Sequence, residues 1–171
     1  LKTWECASGV NKIIMFKSCY PNSAISADGT VPGNPFSTSQ TLTNYKAVYQ
    51  HPSGWGNTYT NNGYSYKALE EVFAANPDTL FIPVTAPPLC NSATDTDDAA
   101  RARAFNDWLE GEWLPSYQTR TGLNNVAVFD WFDVLANPDD GTTYANRLQA
   151  IYGGTTADSH PNKTANLYST T

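Results

Sequence analysis

A chain of 171 residues, 40% of them hydrophobic and 13% aromatic, has the length of one ordinary domain and enough apolar mass for a core, which excludes a disordered tail. Only 15% of the residues are charged, against roughly 25% in an average soluble protein, so the polar surface is built mostly from Asn, Thr, Ser and Gln. A net charge of −6 without any Lys/Arg cluster disfavours a nucleic-acid partner, and the longest apolar runs, such as residues 80–84, are far too short to span a bilayer.

Residues 2–7 read as the last turn of a helix closed by Ser8-Gly9, and residues 13–16 (IIMF) as a short strand buried on both faces. The Gly, Pro, Ser and Thr of residues 28–40 predict a surface loop. From Thr41, Leu42, Tyr45 and Tyr49 predict a short helix, and residues 51–63 (HPSGWGNTYTNNG) a second polar loop. Tyr66, Leu69, Val72 and Phe73 recur at helical spacing and predict a helix over 64–76, ended by Asn76-Pro77. A second buried strand follows at 79–85 (TLFIPVT), where Pro83 is expected to stop the hydrogen-bonded part near Ile82.

The longest helix is predicted over 96–117, with Phe105, Trp108, Leu109 and Trp113 on one apolar stripe. Asp95, Asp97 and Asp98 crowd its start, where the helix dipole favours negative charge, so the cluster reads as a cap and not as a metal site. Residues 125–130 (NVAVFD) predict a third strand turning into 131–135, and the chain closes through a long loop into a last helix after Asp158-Ser159-His160-Pro161. Strands alternating with helices predict one α/β domain over residues 1–171 with a mostly parallel sheet. The ligand site of such a sheet lies beyond the carboxyl ends of its strands. That edge would hold Lys17-Ser18, Thr85-Ala86, Asp130 and the loop before His160.

The chain has two histidines, His51 and His160. An acid two residues before a histidine, as Asp158 stands before His160, can hold one ring nitrogen and leave the other as a general base. The alternative is structural: Asp158 or Ser159 caps the last helix, Pro161 sits in its first turn, and His160 is merely exposed. His51, in a Gly/Trp loop, reads as solvent-facing. Ser18, directly after the first strand, is the best-placed nucleophile within the chain, with Cys19 beside it. Against this, Pro21 argues away from a strand-to-helix nucleophile elbow, and a loop hydroxyl bonded to backbone is the alternative for Ser18. No zinc-type ligand spacing, calcium loop or Gly-rich phosphate loop is present, so neither a metal nor a cofactor is expected. Cys6, Cys19 and Cys90 are an odd count that allows one disulfide and one free thiol, or three buried thiols.

Taken in order, IIMFKSCYPNSAI, LFIPVTAPPL, ARAFNDWLEGEWL, NVAVFDWFDVL and ADSHPN resemble a group of extracellular SGNH/GDSL-type hydrolases, over residues 11–167. The resemblance implies a flavodoxin-like three-layer α/β/α fold and a Ser–His–Asp ester hydrolase that is secreted, needs no cofactor and acts on a small-molecule or carbohydrate ester. It makes His160 the general base and Asp158 its orienting acid, although the family more often places that acid three residues before the histidine, where Ala157 stands here. FKSCYPNS corresponds to the block that supplies an oxyanion-hole N–H, which points to Ser18 and Cys19. TAPPL, with Thr85, replaces the usual Gly-x-Asn block and leaves the side-chain oxyanion donor unassigned.

No GDS-like nucleophile block is present. The resemblance therefore implies that these residues are the C-terminal part of a larger hydrolase, lacking its first strand or strands. Its nucleophile would lie upstream of Leu1 or be Ser18. Two further functions remain open from the sequence. Trp55, Tyr59 and Tyr64 could stack on sugar rings in a non-catalytic glycan-binding protein. A sheet lacking an edge strand could pair with a preceding segment or another chain in a structural or assembly role.

Overall fold

The computed structural model describes residues 5–6 and 9–168. Of the helical turn expected at 2–7, only 5–6 are described, and these are extended: β1 (Glu5–Cys6) pairs antiparallel with β2 (Gly9–Val10). The first expected strand is β3 (Ile13–Lys17), but it is not buried on both faces: Ile13, Met15 and Lys17 are exposed, and only Ile14 and Phe16 turn toward the core. After it a 3-10 turn, Tyr20–Ser23, and a long loop lead to α1 (Leu42–Tyr49), whose first turn is capped by Thr41 accepting from the backbone N–H of Asn44. Residues 51–66 depart from expectation. Tyr59–Asn61 (β4) and Tyr64–Tyr66 (β5) form a hairpin around Asn62-Gly63, both at positive φ, so the helix expected from Tyr64 begins only at α2 (Leu69–Ala74). The aromatic spacing that suggested a helix there belongs to a two-residue hairpin turn.

β3 pairs in parallel with β6 (Leu80–Val84), Ile13 opposite Leu80 and Lys17 opposite Val84. Pro83 does not stop β6. Its effect falls on the next strand instead. Phe81 and Thr85 donate their N–H groups to the carbonyls of Asn125 and Phe129, and Ala127 and Phe129 donate back to Phe81 and Pro83. That is a parallel ladder with one rung missing, the N–H that proline lacks. Residues 125–129 therefore register as bridges at Val126 and Phe129 and not as a continuous strand. The chain is thus mixed α/β, with a small parallel sheet and separate antiparallel pairs.

The expected long helix forms as α3 (Thr96–Trp108), a π-helical turn (Leu109–Trp113) and α4 (Leu114–Thr121). Asp95 caps it by accepting from the N–H of Asp98, as the acid cluster led one to expect. Pro115 lacks an N–H, and its ring demands space at the carbonyl one turn earlier; the widened turn around Gly111 provides it. Phe73 of α2, Trp108, Trp113 and Tyr117 close over Phe81 and Val126, with Ile14 and Phe16 of β3 packed at the margin. The opposite face of the sheet exposes Ile13 and Met15 at 62% and 63%. Beyond residue 129 come α5 (Trp131–Leu135), capped by Asp130, and α6 (Lys163–Tyr168). No described helix is long and apolar enough to cross a membrane.

Candidate functional site

α6 begins one residue after Asn162, and Asn162 is its cap: its Oδ1 accepts from the backbone N–H groups of Thr164 and Ala165. Asp158 and Ser159 are thereby released from the capping role the sequence allowed them. Asp158 Oδ1 instead accepts from the backbone N–H of His160 at 3.0 Å and lies 2.6 Å from His160 Nδ1. The His160 backbone N–H, and after it the His160 ring, hold the Asp158 carboxyl below the usual carboxylate range. An ionised carboxylate only accepts, so Nδ1 carries the proton. In the neutral imidazole Nε2 is then the free basic nitrogen.

Three contacts hold this pair in place. Ser159, 4% exposed, accepts from the backbone N–H of Cys90 in the segment after β6. The Thr156 hydroxyl lies 2.8 and 2.9 Å from the carbonyls of Gly153 and Asp158, donates its single proton to one of them, and accepts from the backbone N–H of Asp158. Gly154 lies so close to the backbone of Leu148 that a Cβ would sit 1.7 Å from its carbonyl oxygen, so no other residue fits. Burial works to raise the Cys90 thiol, but hydrogen bonds from Ser159 and Ser92 outweigh it and bring the thiol below its ordinary value. Cys19 and Cys90 are free thiols, and the side chain of Cys6 lies outside the described part of the chain.

The His160 ring meets the edge of Tyr20 with centroids 4.6 Å apart. Tyr20 opens the 3-10 turn directly after β3, so the carboxyl ends of β3 and β6 and the His160 loop do converge, as the α/β edge rule anticipated. Ser18 and Cys19 are both exposed just before this turn. Ser18, with Asn22 and Ser23, borders a cavity of about 360 Å³ that runs between α1, α3 and the end of β6.

Thr85 also borders that cavity, but its polar atoms are committed. Its hydroxyl donates to Asp130 at 2.9 Å and accepts the N–H of Phe132 at 2.7 Å, while its own N–H goes to Phe129. Thr85 therefore ties β6 to the start of α5 and has no donor left for an oxyanion. Thr85→Val is expected to lower unfolding stability by about 1–3 kcal/mol, because it orphans a buried N–H. Urea unfolding measures this.

Of the aromatic residues that could stack on sugars, Trp55 is covered by the Arg120 guanidinium at 4.9 Å from its ring. Tyr59 packs on His51 and donates its hydroxyl to Ala47. Tyr64 alone stands free at 69% exposure. His51 is half-buried in this packing, not solvent-facing. Among the described residues no cluster of His, Cys, Asp and Glu could hold a metal ion.

Three residues of consequence escaped sequence reasoning. Ser159 was hidden between its two neighbours. Asn106 falls with Ala102, Leu109 and Trp113 at helical spacing on the buried side of α3, where a polar residue is itself a signal. Glu70 precedes Phe73 by three on α2 and is fully buried with it. No family model, curated protein or solved structure matches the chain.

Proposed function

We propose that the chain carries the base half of a serine-type ester-hydrolysing site, with His160 as general base and Asp158 as the acid that orients it. The observation that carries this is the double engagement of one Asp158 oxygen, by the backbone N–H and by Nδ1 of the same histidine, which fixes the tautomer and frees Nε2. The Ser159 hydroxyl, accepting from the backbone N–H of Cys90, anchors the segment between the two residues and supports this reading. Nε2 would take the proton of a hydroxyl attacking an ester carbonyl and return it to the leaving alcohol. Ser18, exposed directly after β3, is the hydroxyl we take as its partner within this chain.

The finer architecture we propose with this function is the flavodoxin-like layering of SGNH/GDSL-type hydrolases, in a secreted protein. The parallel order β3, β6 and residues 125–129 supports it, as does the meeting of His160 with the strand ends. A short-chain aryl ester such as 4-nitrophenyl acetate tests the function. Turnover is expected from the native chain and a fall of about 10²- to 10⁴-fold in His160→Ala; equal rates for the two proteins would refute it. Ser18→Ala, assayed beside it, is expected to match His160→Ala in loss if Ser18 is the nucleophile.

A further inference from the structure

The cavity between α1, α3 and the end of β6 presents donors that no described residue meets. Gln40 Nε2 donates to the carbonyl of Pro21 at 2.7 Å and to Tyr45 Oη at 3.2 Å. Tyr45 Oη, an acceptor there, sends its one proton to Asn22 Oδ1, 3.2 Å away. This chain of bonds fixes which way the Asn22 amide is turned. Asn22 borders the cavity, and its Nδ2, which can only donate, has no partner among the described residues. The hydroxyls of Ser18, exposed on the rim, and of Tyr49, one turn beyond Tyr45 on α1, are likewise without partners among them. Burial pushes the Tyr49 hydroxyl well above its ordinary value, so it stays protonated and can donate.

The rest of the wall is apolar. Phe16, Val48, Leu69, Val84 and Phe105 are half-buried and leave apolar surface for an occupant to cover. No charged side chain borders the space among the described residues. Ser23 and Thr85 are committed to Pro87 and Asp130, and the unpaired Asn106 Oδ1 is buried out of reach. Each polar side chain left free on this wall can therefore donate, and none carries charge. An ester of an apolar acid answers that demand, because it offers acceptor oxygens and has neither a donor nor a charge to desolvate. A volume of about 360 Å³ corresponds to about a dozen water-sized groups at about 30 Å³ each. An acyl chain of about eight carbons with its ester group is of that size.

We propose that this cavity holds the apolar acyl chain of a neutral ester, the chain covering Phe16, Val48, Leu69, Val84 and Phe105 and the carbonyl oxygen accepting from Asn22 Nδ2. That the ester is cleaved there rests on the hydrolase reading, because Ser18 and Asn22 border the cavity and flank Tyr20, against which His160 packs. The binding itself does not depend on that reading.

The test uses the full chain carrying His160→Ala, which binds without turning over. Affinities are measured by calorimetry for methyl butanoate, hexanoate, octanoate and decanoate, and for the octanoate ion. Affinity is expected to rise about three- to fourfold per added methylene and to level off near methyl octanoate, where the cavity is full. The octanoate ion is expected to bind less tightly than its methyl ester, since no cation borders the space. Asn22→Asp in the same background keeps the acceptor for Tyr45 and removes the donor. It is expected to weaken methyl octanoate about tenfold while leaving the gain per methylene unchanged. Should Asn22→Asp fail to fold, the side-chain resonances of Asn22, Val48, Leu69 and Val84 serve in the His160→Ala chain, shifting together with methyl octanoate. Affinity that ignores chain length or climbs undiminished through decanoate, tighter binding of the ion, or shifts confined to the exposed Ile13 and Met15 would overturn the proposal. Length-selective binding in a chain that never hydrolyses any ester would sink the hydrolase reading alone; hydrolysis without length-selective binding would sink the pocket alone.

Discussion

Arg120→Ala is expected to cost about 2–4 kcal/mol of unfolding free energy at neutral pH, or about 5–10 °C in Tm for a chain of this size. Glu70 of α2 is fully buried and pairs with Arg120 of α4, which also covers Trp55. Burial pushes the Glu70 carboxyl above its ordinary value, Arg120 pulls it back, and the indole of Trp113 lowers it further. Removing the guanidinium leaves a buried carboxylate without its counter-charge and with one oxygen that has no hydrogen-bond partner among the described residues. The same carboxylate, with burial as the larger cause, raises the Tyr59 hydroxyl to about 12.

The sign of the pH dependence follows. A carboxyl whose folded pKa is raised contributes stability that is present below its unfolded value and lost as pH rises through the folded one. The penalty of Arg120→Ala should therefore be greatest at neutral pH and shrink on acidification, as Glu70 takes up a proton. Glu70→Gln removes the charge while keeping the shape. In that background Arg120→Ala should cost little and show no such pH dependence. Urea titrations of the four proteins at two pH values measure the cycle. A penalty independent of both pH and Glu70 would make Arg120 a packing residue only.

Asp158→Asn is expected to lower kcat for ester hydrolysis by about 10²- to 10⁴-fold, with a far smaller change in KM. An amide in place of the carboxylate keeps an oxygen for the backbone N–H of His160 but cannot favour the charged imidazolium. Its NH₂, turned toward Nδ1, would stabilise the wrong tautomer and leave the proton on Nε2. Asp158 is exposed, so the folded state should tolerate the change and unfolding should hardly shift. In the unsubstituted protein the lowered carboxyl keeps the pair intact down through the ordinary carboxylate range, and the contact is lost only as pH falls through the depressed value.

Much of the frame was readable from residue order because it rests on period and punctuation. The apolar runs before Ser18 and before Ala86 are β3 and β6, Thr41 and Asp95 cap the helices that follow them, and Asp130 caps α5. Local patterns failed where a distant neighbour decided the outcome. Tyr66 sits at helical spacing from Leu69, yet it and Tyr64 pair across a hairpin with Tyr59 and Asn61. Pro83 was read as the end of its own strand, while its missing N–H interrupts the neighbouring one.

The site divides in the same way. His160 and Asp158 are two residues apart, so their pairing was visible in the sequence. The commitment of Thr85 to Asp130, forty-five positions away, was not. Nor was the role of Ser159, whose partner Cys90 lies sixty-nine residues upstream.

Chemical rescue of His160→Ala by added imidazole tests the central claim most directly. If His160 Nε2 is the general base at the exposed edge beside Tyr20, free imidazole should restore hydrolysis of 4-nitrophenyl acetate by the variant. The restored rate should saturate with imidazole concentration and track its unprotonated fraction, beyond the background rate of imidazole alone. A His160→Ala protein that turns over at the native rate and does not respond to imidazole would contradict the account.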